Sequence, residues 1–492
     1  MDIHLDVDRS EPLRAQLERQ LRAAIRGGRM RAGCKLPPSR LLAEALGVSR
    51  GVVVEAYSQL AAEGYLVARS GDGTRIAEGL ARRPPVPNPV PPSARRIRYD
   101  LRPGVPDLSL FPRREWQAAM SAAIRDLPDA ALGYGPRGGL RELRLALSDY
   151  LGRVRAAVCD PEQVFIASGA ANALIVLCDT LVGRGARRVA VEDPGTPAIY
   201  SAIERAGLEV VPVSVDEHGL DTARLESARA DVVVLTAAHQ YPTGAVLAAD
   251  RRARVIEWAQ KHGTLVVEYE SDAEHRYDCQ PIPSLQGAVP DRVVYIGTAN
   301  TALAPAVQLA WLVVPEHLIG EIAAEHDVAH AAPSVLTQAA YARLLDRGTI
   351  DRHLRCARRR YQARRDAMVE ALAHHMPQAT VGGAALGLHL IAWLPDRANE
   401  AQITRHAADR GIALHTLHHH SVVTAPRPPA LLLGYGLLAE PAIPRAVEQL
   451  ADSARAITAP RSPIWPQASA VGDQRRLNHR RPRTSLRPLH AA

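Results

Sequence analysis

Lysine is the residue whose scarcity constrains the chemistry most. Of the 60 Lys and Arg side chains only Lys35 and Lys261 are lysines; the other 58 are arginines. An imine to a carbonyl compound needs a lysine amine, so any Schiff-base mechanism must use one of these two. Other reactive sets are thin. Ser168 stands before Gly169 without a paired base, so no hydrolase is expected. His415, His418, His419 and His420 crowd together, but metal ligands usually come with Cys or carboxylate partners at defined spacing. The four histidines are expected to form a solvated loop, and no metal site is predicted.

Nucleic-acid recognition is better provided for. Ser49 is placed as the N-cap of a helix whose first turn carries Arg50, Gly51 and Val52. An arginine there can make paired bonds to a guanine edge, and a glycine lets backbone N–H groups approach a phosphate. Arg40, at the start of the preceding helix, can hold a phosphate or a base.

The elements around these residues fit that task. Leu13, Leu17, Leu21 and Ile25 recur at helical spacing; Pro37, Pro38 and Ser39 open a second helix ending at Gly47. Val53, Ala56, Tyr57 and Leu60 form the buried stripe of the third, with Gly64 as its stop. Extended residues 67–69, the turn Ser70-Gly71-Asp72-Gly73-Thr74 and residues 75–77 then make a two-stranded wing. A small helical bundle without a DNA role would share the helices but not the placed arginines.

Six prolines within residues 84–92, flanked by arginines, predict a semi-rigid spacer. The predicted division is a DNA-binding unit over 1–79, a linker over 80–98, an α/β region over 99–458 and a disordered tail over 459–492. In the α/β region short apolar runs (164–167, 189–192, 232–236, 265–267, 293–296) alternate with helical patterns, which indicates a mainly parallel sheet covered on both faces. Residues 389–395 and 431–435 predict a smaller C-terminal α+β unit, and a weak break is expected near 315–333.

The 492 residues, 47% apolar and 23% charged, suffice for several cores. No apolar run is long enough to span a membrane. The first twelve residues lack the apolar stretch of a signal peptide, and the scattered Cys34, Cys159, Cys178, Cys279 and Cys356 fit a reduced cytoplasm, the expected location. The net charge of +8 is mostly the tail, where seven arginines meet one acid, so the charge itself says little about DNA.

Residues 35–66 resemble the GntR-type winged helix-turn-helix along their whole length. The resemblance implies operator contacts at Arg40, Arg50, Gly51, Val52 and the wing glycine at Gly71 or Gly73, with Ser49 and Thr74 beside them. Residues 99–450 resemble fold-type I aminotransferases, in the form fused to GntR-type domains in MocR-like regulators. The motifs are R-P-G-V-P-D-L-S-L-F-P at 102, L-G-Y-G-P-R-G-G-L-R-E-L-R at 132, S-G-A-A-N-A-L at 168, E-D-P-G-T-P at 192, H-Q-Y-P-T-G at 239, G-T-A-N-T-A-L-A-P at 297 and G-L-H at 387. The fold class is thus a winged helix-turn-helix plus an α/β aminotransferase-like domain with a small C-terminal α+β subdomain.

That family's ligand is pyridoxal phosphate, and the resemblance locates its site at Gly169, Ala170, Tyr241, Tyr269, Ser271, Thr298, Thr301 and Gln308. It also implies that this site is degenerate. Thr301 stands where the family has its lysine, Gln308 where it has a phosphate-binding arginine, and Tyr269 where an aspartate meets the ring nitrogen. Ser271 replaces a tyrosine, Thr196 an aromatic residue, and Ala430-Leu431-Leu432-Leu433 lacks the arginine that grips substrate carboxylates. Glu270 is one residue out of register and points to the other side of an extended segment. The expected protein is a DNA-binding regulator that dimerises through its large domain on an operator of double-stranded DNA, has no catalytic residues or bound cofactor, and senses an unidentified small effector or none. A transaminase with an accessory DNA-binding domain would need a lysine near 301.

Overall fold

The computed structural model describes residues 5, 7–69, 73–78, 97–133, 135–270, 272–277, 282–329, 332–383, 387–423 and 427–458. The spacer up to 96, the tail from 459, Gly71 and Ser271 lie outside the described residues. The chain divides into two compact units, Met1–Ala94 and Arg95–Ala492.

The first unit packs α1 (Leu13–Arg26), α2 (Ser39–Leu46) and α3 (Arg50–Ala62) beside an antiparallel hairpin of β1 (Leu66–Arg69) and β2 (Gly73–Ile76). The stripe expected on α3 is the buried one: Val53, Ala56, Tyr57 and Leu60 meet Leu17, Leu21 and Ile25 of α1 in a single core. Full burial of each leucine contributes roughly 1.5–3 kcal/mol. Glu63 caps α3, and Gly64 follows at φ +79° to turn the chain into the wing. The wing is braced from behind, because Leu36 N–H donates to Thr74 O at 2.8 Å and Ile76 N–H to Cys34 O at 2.9 Å.

The second unit is built on an eight-stranded sheet. After the short β3 (Tyr99–Asp100), its strands are β4 (Val164–Ala167), β5 (Arg188–Asp193), β6 (Glu209–Asp216), β7 (Gly219–Leu220), β8 (Val232–Leu235), β9 (Leu265–Tyr269), β10 (Val293–Thr298) and β11 (Ala310–Val313), in the order β4-β11-β10-β9-β8-β5-β6-β7. All but β11 and β7 point the same way. The near-continuous apolar runs of these strands reflect burial on both faces. One face is covered by α6 (Ala170–Gly183), α7 (Pro197–Arg205) and α10 (Ile319–Val328). The other is covered by α4 (Arg113–Asp126), α5 (Arg141–Arg155) and α11 (Val335–Asp346) at one end and by α8 (Thr222–Ser227) and α9 (Ala249–His262) at the other. No boundary falls at 315–333, since Ile322 of α10 is buried in the main core.

The long α12 (Thr349–His375) leads to a four-stranded antiparallel sheet of β12 (Thr380–Gly382), β13 (His389–Trp393), β15 (His415–Thr416) and β16 (Ala430–Gly434). α13 (Glu400–Asp409) and α14 (Ile443–Thr458) complete this expected α+β subdomain, and β14 (Ile412–Ala413) pairs with β3 to tie it to the start of the unit. Among the described residues no helix is long and apolar enough to cross a membrane.

Candidate nucleic-acid interface and ligand site

In the first unit Ser49 is extended (φ −70°, ψ 146°) and its hydroxyl accepts from Val52 N–H at 3.4 Å, the expected cap. The cap holds Arg50 at the start of α3 with its side chain in solvent, and Tyr57 O–H donates to Pro37 O at 3.1 Å to fix α3 against the entry of α2. Arg40 is exposed too. Neither Arg40 nor Arg50 has an ion pair or hydrogen bond among the described residues, whereas Arg22, on α1, is committed to Glu63 at 2.7 Å. Gly51 and Gly73 are exposed and Thr74 half-buried; Val52 is half-buried against the core and its N–H is taken by Ser49. Val54 was missed by the sequence reading: it is 45% exposed, one turn beyond Arg50 on the same helix. Its apolar character resembles a core residue, and only the burial of Val53 assigns it to the outer face. Removing the cap with Ser49→Ala should lower stability by about 1 kcal/mol, checked by denaturant unfolding of the purified protein.

In the second unit the expected ligand residues gather at one end of the sheet. Ala167, Ala310 and Thr298 are partners across β4, β11 and β10, and Ile296 pairs with Tyr269 on β9. Just beyond this row come Gly169, at φ +92° before α6, Ala170 in its first turn, and Thr301. Tyr241 follows β8 at the same end, its N–H donating to Thr236 Oγ1 at 3.2 Å. The chemistry of these groups differs from what a pyridoxal phosphate site needs. Thr301 is buried and carries no amine. Thr298, a candidate phosphate donor, spends its hydroxyl proton on Leu309 O at 3.2 Å while accepting from Asn300 N–H. Gln308 is exposed at φ +49° and brings no charge. Gly297 is accounted for by packing, because a Cβ there would meet Trp311 Nε1 at 2.5 Å.

The carboxylates of Glu268 and Glu270, on and just past β9, face away from this cradle. Tyr269 packs toward α6, while Glu268 accepts from Leu285 N–H and Gln286 N–H and Glu270 from Ala238 N–H at 2.9 Å, with Arg155 3.5 Å away. Burial pushes Glu270 up to about 8 against the pull of Arg155. Lys261 is exposed, paired with Glu226 at 2.6 Å, and sits where β9 begins, a strand length of roughly 16 Å from the end that carries Thr301.

A buried pair that the sequence did not reveal occupies the interface with the subdomain. His239 Nδ1 lies 2.9 Å from Asp272 Oδ1, both nearly inaccessible. Burial opposes ionisation of Asp272, but the neighbouring imidazoles hold its carboxyl below the usual range. Gly387 seats the subdomain on this pair, since at φ +83° a Cβ would lie 2.2 Å from His239 Cε1. His239 and Gly387 both fall within quoted motifs, but nothing in their spacing brings residues so distant in sequence together.

The histidine segment departs from the expected solvated loop. His418 and His419 are exposed, but His420 is 3% exposed and meets the Tyr241 ring edge-on at 5.2 Å. The apolar bodies of these rings close the interface between β8 and the subdomain, which outweighs their polarity. No metal-binding group of His, Cys, Asp and Glu occurs among the described residues. Burial drives His420 down to about 3, below its unfolded value near 6.5. The unfolded state therefore binds more protons between those values, and stability falls as pH drops through that window. His420→Phe should shrink the loss of stability between pH 7 and pH 5 by up to about 2 kcal/mol, measured by denaturant unfolding at both pH values.

Comparison with known proteins agrees with both units. Residues 13–76 match the family of bacterial regulatory proteins, gntR family, and residues 108–415 match aminotransferase class I and II. The HTH-type pyridoxine biosynthesis transcriptional regulator PdxR of Corynebacterium glutamicum is 32% identical over 424 residues, covering 85% of this chain and 91% of that protein. The probable rhizopine catabolism regulatory protein MocR of Rhizobium meliloti is 30% identical over 452 residues, covering 88% and 91%. Among solved structures, the multiple substrate aminotransferase of Thermococcus profundus matches with a TM-score of 0.66 at 25% identity, over 73% of this chain and 91% of that one.

Proposed function

The chain belongs to the MocR-like regulators, in which a GntR-type helix-turn-helix precedes an aminotransferase class I and II domain, and from that premise we propose how its two units divide the work. The first unit binds an operator in double-stranded DNA through Arg40, Arg50, Gly51 and the wing around Gly71 and Gly73, with Val54 available to a thymine methyl. The observation that carries this is the pair of exposed guanidinium groups at the starts of α2 and α3, engaged by none of the described residues. The large domain pairs two copies, so that two weakly held half-sites are bound as one.

The same domain has given up transamination. At the ends of β9 and β10, Tyr269, Thr298 and Thr301 offer pyridoxal phosphate neither an amine nor a charge, and the Asp272 carboxylate nearby is committed to His239, so a covalent link at Thr301 is not available and no catalytic residue is assigned. The domain then serves dimerisation and sensing of a different small molecule. An active transaminase reading has no side chain at 301 to rest on.

The test is footprinting of the full-length protein on fragmented genomic DNA. Two protected half-sites spaced by whole helical turns are expected, with an affinity that falls steeply with salt. Protection without sequence preference would contradict the reading.

A further inference from the structure

A cavity of about 280 Å³ opens between the end of α5, residues 273–276 and α12. None of the residues around the cofactor cradle lines it. Its lining is dominated by Arg153, Arg155, Arg276, Arg355 and Arg358, against Glu274 and Asp351. Arg153 is neutralised by Asp351 at 2.8 Å, and Arg358 Nε–H donates to Glu274 O at 2.6 Å.

The two innermost arginines are not satisfied by the described residues. Arg155 is 2% exposed, and its Nε and Nη2 have no hydrogen-bond partner among the described residues, although Glu270 lies 3.5 Å behind it. Arg276 has buried Nε and Nη1 atoms, also without partners among the described residues. Leaving such donors unmet inside a protein is costly, more so when they are charged. Water could accept from them but could not balance their charge. The carboxyls facing this group are Glu274 and Asp351 in the lining and Glu270 and Glu268 behind Arg155. Burial pushes the carboxyls of Glu268, Glu270 and Glu274 up against the pull of Arg155, and in the lining itself five arginines meet two carboxyls.

We infer that this cavity is an anion site, in which the guanidinium groups of Arg155 and Arg276 grip a small oxyanion, a phosphate or a carboxylate, that enters past Arg355. Planar guanidinium forks match such groups in paired fashion. The volume admits inorganic phosphate or a short dicarboxylate. The inference does not rest on the fate of the cofactor cradle.

The test is thermal unfolding of the full-length protein with sodium phosphate, sodium succinate or sodium chloride at matched ionic strength. One oxyanion at about ten times its Kd should raise the melting temperature of the second unit by about 2 °C over chloride. Arg276→Gln should abolish the rise, and Arg355→Gln, at the exposed mouth, should reduce it even if Arg276→Gln fails to fold. A response to phosphate alone assigns a phosphoryl group, and one to succinate assigns a carboxylate. No rise with either anion, or an undiminished rise in the variants, would overturn the inference. So would variants that dissociate into monomers in sedimentation while keeping the anion response, because the arginines would then belong to an interface.

Discussion

Arg50→Ala weakens binding to the operator about 5- to 150-fold in the same buffer, the equivalent of losing one bidentate base contact at about 1–3 kcal/mol. The expectation follows from its position at the start of α3, on a helix fixed by the Ser49 cap and the Tyr57 bond to Pro37. Its side chain is exposed and engaged with no described residue, so its removal costs the folded protein almost nothing and the loss falls on DNA. Arg40→Ala separates the two kinds of contact. If Arg40 holds a phosphate, its loss weakens binding to all sequences alike and lowers the salt slope by about one. Fluorescence anisotropy over a salt series reads both. Equal affinity of Arg50→Ala and wild type would remove α3 from the recognition role.

Thr301→Lys restores the missing amine and still yields almost none of the ~420 nm absorbance of a lysine–pyridoxal phosphate imine. The reason is that the neighbours remain wrong. Tyr269 offers the ring nitrogen no carboxylate, the next residue, Glu270, is turned away and held by Ala238 N–H and Arg155, and Asp272 is paired with His239. The phosphate would find Gln308 in place of a cation and Thr298 already donating to Leu309. Each charge-assisted bond lost there is worth about 1.5–3 kcal/mol. Adding Tyr269→Asp and Gln308→Arg to Thr301→Lys should raise that absorbance well above the single variant. A strong band from Thr301→Lys alone would show that the cradle is intact apart from the lysine.

How much of this was legible in the sequence differs between the two units. In the first, local signals suffice: the spacing of Leu17, Leu21 and Ile25, the Ser49 cap and the stripe from Val53 to Leu60 fix helices whose contacts are mostly near in sequence. In the second, the apolar runs identify strands but not their neighbours. Nothing in Ala310–Val313 says that it lies reversed between β4 and β10. The direction of Glu270 could be read from strand alternation, because period two permits it. Its partner Arg155, more than a hundred residues earlier, could not. His420 was misjudged for the same reason: a polar run looks solvated until the Tyr241 ring is laid against it.

The most direct measurement takes wild-type full-length protein, adds pyridoxal phosphate, reduces with borohydride and maps pyridoxyl groups by mass spectrometry beside the visible spectrum. The account predicts a colourless protein as purified, no ~420 nm band on titration and no stoichiometric pyridoxyl group on any residue. A yellow protein, with the cofactor linked to Lys261 or Lys35 or held tightly without a covalent bond, would contradict it.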